Sequence, residues 1–193
     1  AIGTARLFGI ELMDNFNAPY TATSIREFWS KWHISLSTWF RDYLFIPIGG
    51  SKVSTIKLAV NILIVFLISG LWHGANWTFV VWGAIHGFAY LLERWFISRN
   101  TSAWLKIPQW FVTMSITFLA WIFFRSQSVT DASTYILGMF RSESNGIEIE
   151  WNTTIISFLG VFLLSDLAFK DRGFNSWIND KSSAKRWAIY AFL

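Results

Sequence analysis

The sequence contains no cysteine, which excludes a thiol nucleophile, a disulfide framework and a thiolate metal site and leaves acid–base chemistry to other side chains. Charge is scarce as well. Only 15% of the 193 residues are charged, while 53% are hydrophobic and 19% aromatic; a soluble domain carries roughly 25% charged residues. No internal repeat and no low-complexity segment is present. Residues 1–20 lack the basic start and unbroken apolar core of a signal peptide. The start at Ala1 and the apolar stretch that opens at Trp187 and stops at Leu193 lead to the expectation that both ends are cut and that 1–193 is one transmembrane domain fragment.

What is present is apolar sequence in blocks about as long as a bilayer is thick. Spanning helices are expected at about 56–72, 77–96, 108–125 and 151–169, with another starting at 187, so the fold class is all-α, a polytopic transmembrane helical protein embedded in lipid. The formal net charge of +4 does not point to nucleic acid, because the cations cluster between the blocks, as the positive-inside rule requires. Lys52 and Lys57 precede the first span, Arg94, Arg99 and Lys106 separate the second and third, and Lys170, Arg172, Lys181, Lys185 and Arg186 separate the fourth and fifth. Those regions are expected to be cytoplasmic. The connections at 73–76 and 126–150 then face outward, the second carrying Glu143, Glu148 and Glu150. Segment 129–140 is too short to span and reads as an interfacial helix.

Upstream, Asn15, Asn17 and Pro19 suit a turn. From Ser24 the pattern becomes helical: Ser24 and Glu27 form a capping box, and Phe28, Trp29, Trp32, Leu36, Trp39, Phe40 and Tyr43 recur at helical spacing. One amphipathic helix over 24–46 is expected, interfacial or re-entrant, because its other face carries Lys31, Ser35, Thr38 and Asp42, and Glu27 can pair with Lys31 one turn later.

Three histidines stand in aromatic, glycine-rich settings: His33 after Trp32, His73 between Trp72 and Gly74, and His86 before Gly87. An ionisable group at membrane depth is costly and marks a functional site by default. His73 is best placed, where the first span meets the second across Gly74, Ala75 and Asn76. A neutral imidazole there can take a proton from a hydroxyl. The alternative for each histidine is a hydrogen-bonded packing residue, and for Arg41 and Asp42 a structural ion pair. Most of the tryptophans read as interface anchors, and Gly70, Gly74, Gly83 and Gly87 as sites of close helix packing. No histidine pair has the spacing of helical metal ligands, so no metal site is expected. Proton transport is the competing function, but Asp166 is the only acid well inside an expected span, too few for a proton relay.

The run FWSKWHISLSTWFRDYLFIPIGG at 28–50 and the run SGLWHGANWTFVVWGAIHG at 69–87 resemble the MBOAT family, the membrane-bound O-acyltransferases, in the branch that acetylates bacterial polysaccharides such as alginate. AIGTARLFGIELMDNFNAPY at 1–20 and AWIFFRSQS at 120–128 fit the same branch. The resemblance implies that His73 is the catalytic histidine and His33 the second histidine of an active-site tunnel. It also implies that Trp32, Trp72, Asn76, Arg41, Asp42 and His86 shape the substrate path. By the same resemblance the donor is a cytoplasmic acyl thioester (acetyl-CoA or an acyl carrier protein), with no bound cofactor. The acceptor is a hydroxyl of an extracytoplasmic polysaccharide, the partners are separate extracytoplasmic acetyltransferase subunits, and the location is the bacterial cytoplasmic (inner) membrane. A sister branch transfers D-alanine toward teichoic acid.

Overall fold

The structure, a computed structural model, describes residues 2–96, 102–141, 153, 157–161, 164, 178 and 180–192. Its bounded elements are all helical: α1 (Ile2–Leu7), α2 (Ile25–Lys31), α3 (Ile34–Phe40), α4 (Thr55–His73), α5 (Trp77–Phe96), α6 (Lys106–Arg125), α7 (Val129–Met139) and α8 (Ser183–Phe192). A π-helical turn, Arg41–Phe45, continues α3, and 3-10 turns stand at Pro19–Thr21 and Ala103–Leu105.

The frame is a hairpin of α4 and α5 with α6 laid against α5. Ser54 opens α4 by accepting from the Lys57 N–H (3.4 Å), and Asn76 opens α5 by accepting from the Thr78 N–H (3.1 Å), so both helices start on side-chain caps. Two glycines set how closely the pair packs. A Cβ at Gly70 would collide with the Phe79 carbonyl oxygen, and one at Gly83 with the Phe66 carbonyl oxygen. Backbone therefore meets backbone at this crossing, the contact that small residues permit. Asn61, buried in α4, donates to the carbonyls of Ile48 (3.3 Å) and Gly50 (3.3 Å), which ties the turn after the π segment to the hairpin.

Among the described residues, two helices, α4 and α6, are long and apolar enough to cross a membrane. They bury little within the described residues and leave Ile56, Val60, Phe111, Val112 and Phe118 exposed, surface that lipid accommodates and water does not. α5 is 20 residues long but carries His86, Glu93 and Arg94. Most of the block expected at 151–169 lies outside the described residues, as does most of the loop before it. Near the expected start at 187, α8 begins at Ser183.

The single helix expected over 24–46 is corrected: the chain breaks at Trp32 and His33. α2 ends with Trp32 extended (φ −105°, ψ 128°), and His33 is left-handed (φ 46°, ψ 54°), a conformation costing roughly 1–2 kcal/mol for a residue with a Cβ. The periodic apolar residues continue through the break, and for that reason spacing alone reads as one helix. The local cap is as expected: the Glu27 N–H donates to Ser24 Oγ (3.0 Å), and Lys31 Nζ pairs with Glu27 (2.6 Å). The Glu27 carboxylate returns to the N–H of Thr23 (2.8 Å), one residue before the box requires. α2 buries Ile25 and Phe28, Phe28 packing with Ala22 and Met114 and against Tyr20, Trp32, Trp110 and Trp121.

Candidate active site

His73 is the last residue of α4, where the α4–α5 turn leaves its half-buried ring among aromatics. Its centroid lies 5.0 Å from Trp72, 5.2 Å from Trp82 and 5.0 Å from Phe124, each edge-on. Three elements supply these walls, so the imidazole is held by packing rather than by its own helix alone. His33 stands in the break between α2 and α3 with left-handed backbone, its ring 6.4 Å from that of Phe16. The left-handed backbone at position 33 ends the run of α2 and sets the start of α3. His33 Nδ1 is buried without a hydrogen-bond partner among the described residues.

A cavity of about 380 Å³ lies between α2–α3 and the α4–α5 hairpin, walled by Phe66, Ser37 and Ser69 and by three arginines, Arg26, Arg41 and Arg94. Ser37 accompanies His33, its N–H donating to the His33 carbonyl (3.0 Å), and Ser69 stands one turn before His73 on α4. The cavity thus runs from a cationic end to within one turn of both histidines. Arg26 crosses its wall with the guanidinium over the Tyr90 ring (5.5 Å to the centroid), a cation–π seating.

The other expected site residues are distributed around this centre. Trp32 is packed among Phe16, Phe28 and Trp121 at 4.9, 5.6 and 5.4 Å, walling the side of the break away from the cavity. Trp72 is exposed, edge-on to His73. The Asn76 amide is engaged at both ends, donating from Nδ2 to the Gln127 carbonyl (2.9 Å) and accepting at Oδ1 from Thr78, so it joins the α4–α5 turn to the α6–α7 connection. Arg41 and Asp42 form an exposed pair (Nε to Oδ1 2.7 Å), and the Arg41 hydrogen bond holds the Asp42 carboxyl below its usual range; of the two, only Arg41 lines the cavity. His86 is fully buried in a box of Phe28, Trp29, Phe66 and Trp82, with Nδ1 accepting from Trp29 Nε1 (3.4 Å). It does not reach the cavity. The described residues hold no group of three or more His, Cys, Asp or Glu arranged to hold a metal.

Sequence reasoning passed over Trp82 and Trp29. Trp82 stands between His73 and His86, 5.2 and 5.1 Å from their rings, and its position four residues before His86, on one helix face, was a usable signal. Trp29 joins His86 to the cavity wall through two elements that no spacing in the sequence connects.

Residues 1–138 match the family model described as MBOAT, membrane-bound O-acyltransferase family. The chain is 41% identical over 142 residues to a peptidoglycan O-acetyltransferase of Helicobacter pylori (72% of this chain, 27% of that protein). It is 41% identical over 140 residues to a probable alginate O-acetylase of Azotobacter vinelandii (72% and 28%). A teichoic acid D-alanyltransferase of Bacillus subtilis is 32% identical over 124 residues (60% and 31%). The chain spans about a quarter of the length of the first two, and the matched part contains both runs that hold His33 and His73. On a match that covers these runs and most of the sequence, the chain belongs to the membrane-bound O-acyltransferase family.

Proposed function

We propose that the protein is a membrane O-acyltransferase that moves an acyl group, acetyl in the first instance, from a cytoplasmic thioester toward a hydroxyl of an extracytoplasmic polysaccharide. The observation that carries this reading is the family match over residues 1–138, which hold both His33 and His73, with His73 seated among aromatics one turn beyond Ser69 in the wall of an arginine-walled cavity. His73 takes the proton of the acceptor hydroxyl as its oxygen attacks the thioester carbonyl. The carbon–sulfur bond breaks, and the thiolate leaves and recovers a proton. His33 orients or polarises the carbonyl. Arg26, Arg41 and Arg94 suit the phosphates of a thioester carrier, whether acetyl-CoA or an acyl carrier protein. Trp32 and Trp72 flank the two histidines outside the cavity, while Asn76 and His86 act through the residues that they hold.

Identity is equal, at 41%, to relatives named for peptidoglycan and for alginate, so the acceptor is assigned as a polysaccharide hydroxyl without choosing between them. A cytoplasmic-membrane, multi-pass setting with extracytoplasmic acetyltransferase partners belongs to this reading. D-alanyl transfer to teichoic acid is the second reading, favoured by the 32% identity to the Bacillus subtilis enzyme; acetyl and D-alanyl esters on the cell's polymers separate the two. In the intact protein in its native membrane, His73→Ala is expected to lower polymer-bound ester at least about 100-fold, the low end of a general base's contribution, while the protein accumulates normally. Undiminished esterification would remove His73 from the reaction.

A further inference from the structure

The break at His33 needs a partner, because a left-handed residue at a helix start supplies no cap of its own. No side chain of residue 33 caps α3, yet the first N–H groups of a helix require acceptors. Asn15 supplies them from 20 residues away. Its carbonyl accepts from the Ile34 N–H (3.0 Å), and its Oδ1 accepts from both the Ser35 N–H (2.9 Å) and the Ser35 hydroxyl. On the other side of the break, the Asn17 N–H donates to the Lys31 carbonyl (3.0 Å), closing the end of α2. Between them, Phe16 lays its ring edge-on to Trp32 at 4.9 Å. Residues 15–17 therefore bind both edges of the break at once.

The competing state is written in the same segment. The apolar residues from Phe28 to Tyr43 keep helical spacing through Trp32 and His33, so without a tie they favour one continuous helix, in which position 33 regains right-handed backbone. That change re-aims the His33 imidazole. From these contacts we infer that Asn15 is a positioning residue: it selects the broken form of the 25–40 segment and thereby fixes where the His33 imidazole stands for the reaction. The inference rests on the function proposed above, and its test is arranged to fail separately.

In the intact protein, Asn15→Ala is expected to lower acyl-transfer turnover about tenfold or more with the KM for the thioester little changed. Asn15→Asp, which keeps oxygens for both Ser35 donors, is expected to restore most of the rate. The decisive comparison is made in a His33→Ala background, where Asn15→Ala is expected to add no further loss, since residues acting as one unit are not additive. A purely structural role would lower turnover by the same factor with or without His33 and would overturn the inference. So would wild-type turnover in Asn15→Ala while His73→Ala is inactive; a fully active His73→Ala would instead sink the functional reading itself. If Asn15→Ala does not accumulate, Ser35→Ala serves. It removes one of the two donors to Oδ1 and is expected to lower turnover a few-fold only while His33 is present, and an unchanged rate would overturn the proposal.

Discussion

His73 and His86 stand on the same hairpin and touch the same indole, yet their surroundings differ. His73 ends its helix half-buried, among Trp72, Trp82 and Phe124 and one turn beyond a cavity wall. His86 is sealed in four aromatic rings with its Nδ1 committed to Trp29. In the sequence both were histidines followed by glycine with a tryptophan within four residues before them, and nothing in that setting separates a reachable imidazole from an enclosed one. Position at a helix end did single out His73, because a span meeting a short turn is visible in hydropathy alone. Glu27 was also legible. Burial pushes its carboxyl up, but the bonds from Lys31 and Thr23 outweigh this and hold it below the usual value near 4.5. A lowered folded-state value means that the group's stabilisation is fully present above the unfolded value and is lost as pH falls through the folded one. Acidification below about pH 4.5 is therefore expected to loosen the start of α2. Glu27→Gln should flatten that acid limb in melting measured across pH, by a few tenths of a kcal/mol for a half-exposed i,i+4 pair.

Among the elements, the α4–α5 hairpin was readable because its two apolar runs and the Gly-Ala-Asn turn are local features. The broken α2–α3 segment was not, because its cap is Asn15, a tertiary partner whose turn-forming character is visible in sequence but whose target is not. The glycines of the hairpin read as close packing, and the structure divides them by what a methyl would meet. Gly70 and Gly83 face backbone carbonyls across the crossing, whereas Gly138 in α7 has nothing within 4 Å. Gly70→Ala and Gly83→Ala are expected to destabilise the protein by about 1–3 kcal/mol by prying the helices apart. Gly138→Ala should be neutral or stabilising by up to about 1 kcal/mol, since alanine is the better helix former. Melting of the purified protein in detergent checks all three; equal shifts would show that the crossing is not backbone-limited.

Across the whole molecule, composition pointed to a membrane protein, as the family is, and the cation pattern gives the helices an orientation that remains a prediction, while the cavity, assembled from α2, α3, α4 and α5, had no signature in any one segment. Its lining includes Ser51 and Arg94, on the side where Lys52 and Lys57 lead into α4, and His73 closes the opposite end of that helix. This polarity suits a donor arriving from one face and an acceptor from the other. Ala75→Cys, in a chain without native cysteine, is expected to react with an impermeant maleimide from the outer face of intact cells, and labelling only after the cytoplasm is opened would reverse the orientation.

The central claim, that the His33–His73 pair carries acyl transfer, is tested most directly by following a labelled acetyl thioester in membranes supplied with the polymer, comparing wild type with His73→Gln and His33→Gln. Loss of transfer to polymer by about 100-fold or more for His73→Gln, with thioester binding retained, is the result predicted. Transfer at the wild-type rate by a folded, membrane-inserted His73→Gln protein would contradict it.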